Sequence, residues 1–272
     1  MAAGDQLRVL MEGDLNGVAI SALPEVLEKL SYHNAMAHNA IYRGKNLGTA
    51  VTAAQYAEIA AGTFRDMYVG DYWVINGVTW RIAHFDYWYN TGDTACTKHH
   101  VVVMPDNNLY TAKMNETNTT VGGYYNSLMR AGKAADGDNP AQDPGLAQAK
   151  TIANAAFPNH VLTHRVLLTN AVTDGKPSGW AWYDGDVDLP TERMIYGGPA
   201  WGAHDGNGYN AGNNALQLAL FRFTNWGSFA RAWFWLQDVV SAAVFALADA
   251  DGRARSSGAG GAVGVRPPVP VS

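Results

Sequence analysis

The feature that most constrains the fold of this chain is an Asn-Gly pair, Asn76-Gly77, set between two runs of aromatic and β-branched residues. The tightest hairpin loops need a positive φ at both turn positions, which Asn and Gly adopt more readily than other residues. Trp73–Ile75 and Val78–Ile82 are therefore predicted to pair as a β-hairpin. The composition of the whole chain, with 29 Gly, 9 Trp and 13 Tyr, also favours short strands, tight turns and large loops.

The rest of the pattern predicts strands, then two helices, then more strands, an order that is typical of an α+β fold. Pro158 ends the second helix, and a Gly-, Asn- and Trp-rich stretch without an obvious pattern predicts a long loop. In chain order the expected elements are a strand at 99–105, helices at 122–132 and 146–157, a strand at 160–168, the loop at 172–214, and short strands at 233–240, 245–252 and 263–271.

The first 63 residues differ from the rest of the chain. Pro24 and the apolar spacing within Glu25–Leu30 predict one short helix, and Thr52 with Gln55 forms a capping box before a second helix that ends at Gly62. Two short helices with so few apolar residues bury little surface by themselves. We therefore expect residues 1–63 to be a small helical segment for attachment or oligomerisation, and residues 64–272 to be the main domain.

Composition and charge exclude several classes of function. Apolar residues make up 47% of the chain and charged residues 16%, which indicates a globular protein. A net charge of −5 without a basic cluster argues against nucleic acid as a partner. No stretch approaches the ~18 apolar residues of a membrane span, and no signal-peptide pattern is found, so we expect synthesis in a reducing cytoplasm and no membrane insertion. One cysteine, Cys96, rules out an internal disulfide framework and a zinc-knuckle or iron–sulfur site.

No set of residues in the sequence predicts catalysis or metal binding. The adjacent His99 and His100 would point to opposite faces of a strand, so they are poor partners for one ion. Asp184, Asp186 and Asp188 have the density of a calcium loop, but the Gly and the closing Glu of such a loop are out of register. We expect no catalytic residue, no cofactor and no metal.

The C-terminal stretch 241–264 is the most informative part of the sequence. It contains only Ala, Gly, Ser, Asp, Val, Arg, Phe and Leu, a composition that would ordinarily indicate a flexible linker. The apolar residues Trp235 and Leu236 before it, and Val265 and Val269 after it, indicate instead that both ends are anchored in a core. All of its residue types can also arise when the adenines of an AAC Asn codon are randomised, because NNC codons encode neither Lys, Glu, Gln, Met nor Trp.

The same region resembles a known family. FWLQDVVSA, followed by the small-residue stretch and by GVRP with a short apolar ending, resembles the C-terminal variable region of proteins diversified by retroelements. GDYWVINGVTWRIAHFDYW and HHVVVMP are also similar to phage members of this group. Where the family has W-L-R-D this chain has W-L-Q-D, so Gln237 replaces a cation and one local contact is expected to differ. The resemblance implies a C-type lectin-like fold over residues 64–272, with a variable region at about 225–264.

The resemblance further implies that exposed positions of the variable region bind the ligand while packed strands fix the backbone. The residues that we expect to form this surface are Ser228, Phe229, Arg231, Val244, Leu247, Ala248, Ala250, Arg253, Arg255, Ser256, Ser257, Gly261 and Val263.

The expected function is that of a phage or prophage receptor-binding protein, made in the bacterial cytoplasm and displayed on the virion surface on a tail or head fibre. Its variable surface would bind a host-cell surface protein or glycan, and residues 1–63 would attach it to virion structural proteins or to sister copies. Several copies on one particle would strengthen weak single-site binding. We expect a homo-oligomer, with a trimer favoured by analogy with phage fibres.

Two alternatives stay open from the sequence. One is a diversified binding protein displayed on a bacterial cell, with the same variable surface and a different anchor. The other is a calcium-dependent carbohydrate-binding lectin module that uses the loop from Asp184 to Asp188. An enzyme of the formylglycine-generating branch of this fold is disfavoured, because that branch needs a cysteine pair or metal-binding cysteines and this chain has Cys96 alone.

Overall fold

The computed structural model describes residues 34–131, 145–201, 216–223 and 232–272. The helices are α1 (Ala35–His38), α2 (Ala53–Ala60), α3 (Leu128–Ala131), α4 (Gly145–Ala156), α5 (Glu192–Tyr196) and α6 (Leu220–Phe223). The strands are β1 (Tyr72–Ile75), β2 (Val78–Phe85), β3 (Val101–Pro105), β4 (Tyr110–Ala112), β5 (His164–Thr173), β6 (Lys176–Gly185), β7 (Phe234–Val239), β8 (Val244–Ala248), β9 (Ala254–Gly258), β10 (Val263–Val265) and β11 (Val269–Val271). Helices and strands are mixed in one chain, as expected for the α+β class.

The strands form three sheets. The first has the order β1-β2-β3-β11, the second the order β4-β10-β7-β8-β9, and β5 with β6 forms a two-stranded hairpin. The last strand of the chain, β11, pairs antiparallel with β3 and completes the first sheet. The C-terminal end is therefore anchored in the fold, as the apolar residues around stretch 241–264 indicate.

Several elements that the sequence predicts are confirmed. Asn76 and Gly77 both have a positive φ, at 51° and 78°, and join β1 to β2. The side chain of Thr52 accepts a hydrogen bond from Gln55 N, and the side chain of Gln55 accepts one from Thr52 N, which completes the capping box of α2. The helix expected at 146–157 is α4, and the strand expected at 99–105 is β3.

The prediction of a long loop at 172–214 is wrong for its first part. Residues 176–185 form β6, which pairs with β5 through a tight turn at Asp174-Gly175, where φ is 51° and 73°. This is the same turn chemistry as at Asn76-Gly77, so the sequence does carry the signal. The helix expected at 122–132 also differs from the prediction: residues 121–126 form turns, and within the described residues 122–131 only Leu128–Ala131 is helical.

One set of buried apolar residues joins the first two sheets. Trp73 and Trp80 of the first sheet and Trp235 of the second are all fully buried within it. The indole Nε1 of Trp235 donates to Ala112 O on β4 at 2.8 Å, so its one polar atom is satisfied inside the core. These sheets form a single body and do not act as separate domains.

Residues 34–62 share this core, which differs from the division at residue 63 that the sequence suggests. Ile59 of α2 and His38 of α1 are buried, and Asn39 exchanges two hydrogen bonds of 2.9 Å with the main chain of Phe85. The other helix expected in this segment, Glu25–Leu30, lies outside the described residues. Residues 34–62 are part of the folded domain.

Among the described residues, no helix is both long enough and apolar enough to cross a membrane.

Candidate functional site

The C-terminal stretch 241–264 folds mainly as a hairpin of β8 and β9, closed by a turn that Asp249 organises. The Oδ1 atom of Asp249 accepts hydrogen bonds from the main-chain N–H groups of Asp251 and Arg253, at 2.9 and 2.8 Å. Its Oδ2 atom accepts from Arg255 Nε at 3.3 Å. Burial opposes the ionisation of this carboxyl, but these donors outweigh burial and lower the pKa of Asp249. The turn is thus held by a charged, nearly buried side chain.

The outer strand of this hairpin and the turn residue before it carry the most exposed side chains of the expected surface. The side chains of Arg253 and Arg255 are 65% and 52% exposed, and Ser256 is exposed beside them. Residues that are only partly exposed are Val244, Ala250, Ser257 and Gly261. Ser228, Phe229 and Arg231 lie outside the described residues. We call the exposed outer part of the hairpin, with Arg253, Arg255 and Ser256, the display face; the side chains of Arg255 and Ser256 point to opposite sides of β9.

The prediction that Leu247, Ala248 and Val263 are exposed is wrong, because all three are buried. β8 lies between β7 and β9, so Leu247 has Trp235 as its neighbour on one side and Arg255 on the other. Val263 lies on β10, which is likewise covered by strands on both sides. Alternation along the sequence cannot distinguish a central strand from an edge strand, since that difference depends on which strands are neighbours.

The sequence did not predict that Trp201 belongs to the display face. Its indole Nε1 donates to Ala254 O on β9 at 3.0 Å, and the residue is 56% exposed. The fully buried carboxylate of Glu192 accepts hydrogen bonds from Ala200 N at 2.8 Å and from Trp201 N at 3.0 Å. The contact spans 53 residues of the chain, so no local pattern marks it.

A shallow polar cavity of about 450 Å³ borders the display face. It lies between Glu116, Thr117 and Asn118 on one side and 257–261 on the other. Asn118 Oδ1 accepts from Gly260 N at 3.0 Å, and a Cβ at Gly258 would collide with the Asn118 amide. The close approach of these two segments therefore requires glycine at this point of β9.

The W-L-Q-D motif lies on β7, which β8 separates from β9 in the same sheet, and it serves as scaffold. Gln237 donates from Nε2 to Leu189 O at 3.0 Å. Asp238 is partly buried and accepts from Glu192 N at 2.7 Å. Burial, and after it the charge of Glu192, raises the pKa of Asp238 to about 7. The motif thus fixes the start of α5, whose Glu192 in turn holds Trp201.

The three alternate acids do not converge on one ion. Each has a cationic partner of its own: Asp184 with Arg165 at 2.9 Å, Asp186 with Lys150 at 2.7 Å and Asp188 with Arg130 at 2.7 Å. In the described part of the chain, no group of three or more His, Cys, Asp or Glu side chains is placed to hold a metal. His99 is bound to Asp86 at 2.6 Å and partly exposed, whereas the side chain of His100 is fully buried.

A second concave surface is built from other elements. It is a cleft of about 710 Å³ at α1, the end of β2 and α6. Its lining includes the exposed apolar side chains of Met36, Leu216 and Phe223, with Arg222 and Asp86 as charged groups. A volume of this size with an apolar lining and a few polar groups is typical of sites for small molecules or peptides.

No family model matches the sequence, and no curated protein and no solved structure is detectably similar to the chain.

Proposed function

We propose that this chain is a phage or prophage receptor-binding protein with a C-type lectin-like domain, and that its display face binds a ligand on the host cell. The observation that supports the proposal is the difference in side-chain burial between the two strands of one hairpin. β8 is packed on both sides into the core, whereas β9 presents Arg255 and Ser256 to solvent and the turn before it presents Arg253. A rigid backbone that exposes side chains without a role in folding tolerates their replacement.

The side chains on the display face also suit binding. Arg and Trp are the types most enriched among residues that dominate binding energy, and this face combines Arg253 and Arg255 with Trp201. The single-site area is modest, so we expect several copies on a virion to act together. Virion structural proteins and sister copies would be the partners that hold the chain there, in a homo-oligomer for which a trimer is favoured.

The same surface would serve a diversified protein displayed on a bacterial cell, which is the second candidate function. The calcium-dependent lectin alternative has less support. Asp184, Asp186 and Asp188 each lie in an ion pair, so calcium would have to displace three cations to bind there.

Binding to cells tests the proposal. Fluorescent streptavidin tetramers of the chain would be incubated with a panel of Gram-positive and Gram-negative strains and counted by flow cytometry. We expect binding to at least one strain, and its loss in the Arg253→Ala/Arg255→Ala variant. Arg65→Ala is the matched control, because Arg65 is an Arg with the same 52% exposure away from the display face. Equal binding by all variants would overturn the assignment of this face.

Sequencing of the gene in a natural population tests the diversification. We expect substitutions to concentrate in the codons for Arg253, Arg255 and Ser256, with an adenine-rich copy of the region beside a reverse-transcriptase gene. The codons for Trp235 and Phe245, which are fully buried, should be constant. Substitutions spread evenly over the chain would contradict this part of the proposal.

A further inference from the structure

We propose that the outer edge of β9 is a docking edge, at which an extended segment of a partner protein adds a strand to the sheet. This inference rests on the proposed function and assigns its ligand to a chemical class. β9 is the last strand of the β4-β10-β7-β8-β9 sheet. An edge strand presents main-chain N–H and C=O groups that another chain can pair with.

The hydrogen bonds of the hairpin determine which β9 groups face outward. Asp249 N donates to Arg253 O and Ala259 N donates to Ala243 O, both at 2.9 Å, at the two ends of the β8–β9 ladder. In an antiparallel pair, residues that exchange hydrogen bonds alternate with residues whose main-chain groups point away. Arg253 and Ala259 are an even number of residues apart, so both bonds fit one alternating pattern. Arg253, Arg255, Ser257 and Ala259 therefore point their main-chain N–H and C=O groups at β8.

The intervening residues Ala254, Ser256 and Gly258 therefore point their N–H and C=O groups at the open edge. Two bonds agree with this assignment: Ala254 O accepts from Trp201 Nε1 at 3.0 Å, and Gly258 O accepts from Gly261 N at 2.9 Å. Among the residues that the structure describes, none is bonded to the main-chain N–H or C=O of Ser256. The middle of the edge is open to solvent, since Ser256 is exposed.

The edge lacks two of the usual features that block pairing, a proline and a bulge. Natural edge strands are also protected by charged side chains, by a covering segment or by being very short, and the exposed Arg255 is one such charge. β9 contains no Pro, and its register with β8 runs without a shift from Val244↔Gly258 to Ala248↔Ala254. At both ends of the edge the outward carbonyls already accept internal donors, Trp201 Nε1 at Ala254 and Gly261 N at Gly258. Among the described residues, the part of the edge that stays open is its middle, at Ser256.

A protein segment fits this edge better than a glycan does. Outward groups on alternate residues repeat about every 6.6–6.8 Å, which is the spacing at which another β-strand places its own donors and acceptors. The exposed side chains of Arg253 and Arg255 flank the edge and would meet the side chains of such a segment. In this arrangement main-chain pairing supplies affinity, and the variable side chains select the partner.

The test uses a proline that removes one outward N–H. Peptides would be selected from a random linear library against the immobilised full chain, and their affinity measured for Ser256→Pro and Ser256→Ala variants. Ser256→Pro removes an N–H that β8 does not use, whereas Ser256→Ala keeps it. We expect roughly a tenfold loss for the proline variant and little change for the alanine variant. Equal affinities, or a library without binders, would overturn the docking edge.

Amide hydrogen exchange keeps the test decisive if Ser256→Pro does not fold. In the wild-type chain, the Ser256 amide should exchange fast when free and slowly with a selected peptide bound, while the Arg255 and Ser257 amides are protected in both states. An unchanged Ser256 amide would refute the inference. If cell binding depends on Arg253 and Arg255 but not on Ser256→Pro, the proposed function holds and the docking edge fails. If neither change matters, both fail.

Discussion

At the scale of single residues, the most unusual groups are buried histidines that act as hydrogen-bond acceptors. His84 Nδ1 accepts from Ala219 N at 3.0 Å, and His100 Nε2 accepts from Trp88 N at 3.1 Å. A protonated imidazole has no free lone pair, so each of these bonds exists only in the neutral form. Burial lowers the pKa of His84 to about 3 and the pKa values of His100 and His164 to about 4.

These histidines predict a loss of stability in weak acid. Their folded pKa values lie below the value of about 6.5 in an unfolded chain, so the unfolded state binds more protons. Their contribution is complete above about pH 6.5 and is lost as the pH falls from there towards 4. We expect the urea midpoint to fall steadily over this range. A midpoint that is constant between pH 6.5 and 4 would contradict the assignment of these rings as neutral acceptors.

Asp238 provides the matched control for this pH dependence. Its raised pKa has the opposite effect on stability to the lowered pKa values of the histidines. The folded state keeps a proton on Asp238 up to about pH 7, so this group adds stability as the pH falls. Asp238→Asn keeps an acceptor for Glu192 N and removes the titration. We expect the variant to lose more of its stability between pH 6.5 and 4 than the wild type does.

A small buried cavity predicts one ordered water. It measures about 20 Å³, enough for a single water molecule, and His164 and Asp188 both line it. His164 Nε2 and Asp188 Oδ2 are buried acceptors without a hydrogen-bond partner among the described residues. Water can donate to both, and Arg130 already balances the charge of Asp188. A high-resolution crystal structure should show density between the two atoms; an empty cavity would contradict this expectation.

At the scale of elements, β8 and β9 should differ sharply in their tolerance of substitution. Leu247→Ala removes a fully buried side chain from a central strand and should cost roughly 2–5 kcal/mol. Arg255→Ala, its direct cross-strand neighbour, should cost no more than about 1 kcal/mol, because its side chain is half exposed and its ion pair with Asp249 is long, at 3.3 Å. Urea unfolding of the two variants measures both values. Similar losses of unfolding free energy in the two variants would mean that β8 and β9 do not differ in their contribution to folding.

At the scale of the whole molecule, residues 34–62 stabilise the domain through Asp71. This fully buried carboxylate accepts from Arg43 Nη2 at 2.7 Å, from Lys45 N at 2.7 Å and from Tyr68 N at 2.8 Å. Ile59 fills part of the same core. Removing this segment leaves an unpaired buried charge and an open core, both of which are strongly destabilising.

We therefore expect a chain that lacks residues 1–62 to be unfolded or strongly destabilised, as measured by circular dichroism and thermal melting. A truncated chain that melts like the full chain would contradict the shared core.

We expect light scattering to give the mass of a homo-oligomer for the full chain. A monomer at micromolar concentration would refute the oligomer, whatever the result of the truncation.

The sequence by itself determined the elements whose signals are local. Asn76-Gly77 predicted the first hairpin, Thr52 with Gln55 predicted the start of α2, and Pro158 predicted the end of α4, because each signal acts within a few residues. Asp174-Gly175 carried an equally local signal for the β5–β6 hairpin. The anchored ends of stretch 241–264 were also predicted from the apolar residues on either side.

Only the tertiary structure decided which of these elements lie side by side. Leu247 and Arg255 have similar positions in an alternating sequence, but one is buried and the other exposed, since β8 has strands on both sides and β9 on one side. The contact of Trp201 with Ala254 and the pairing of β11 with β3 join residues far apart in the chain. Such contacts depend on how the sheets pack, and no short stretch of sequence contains that information.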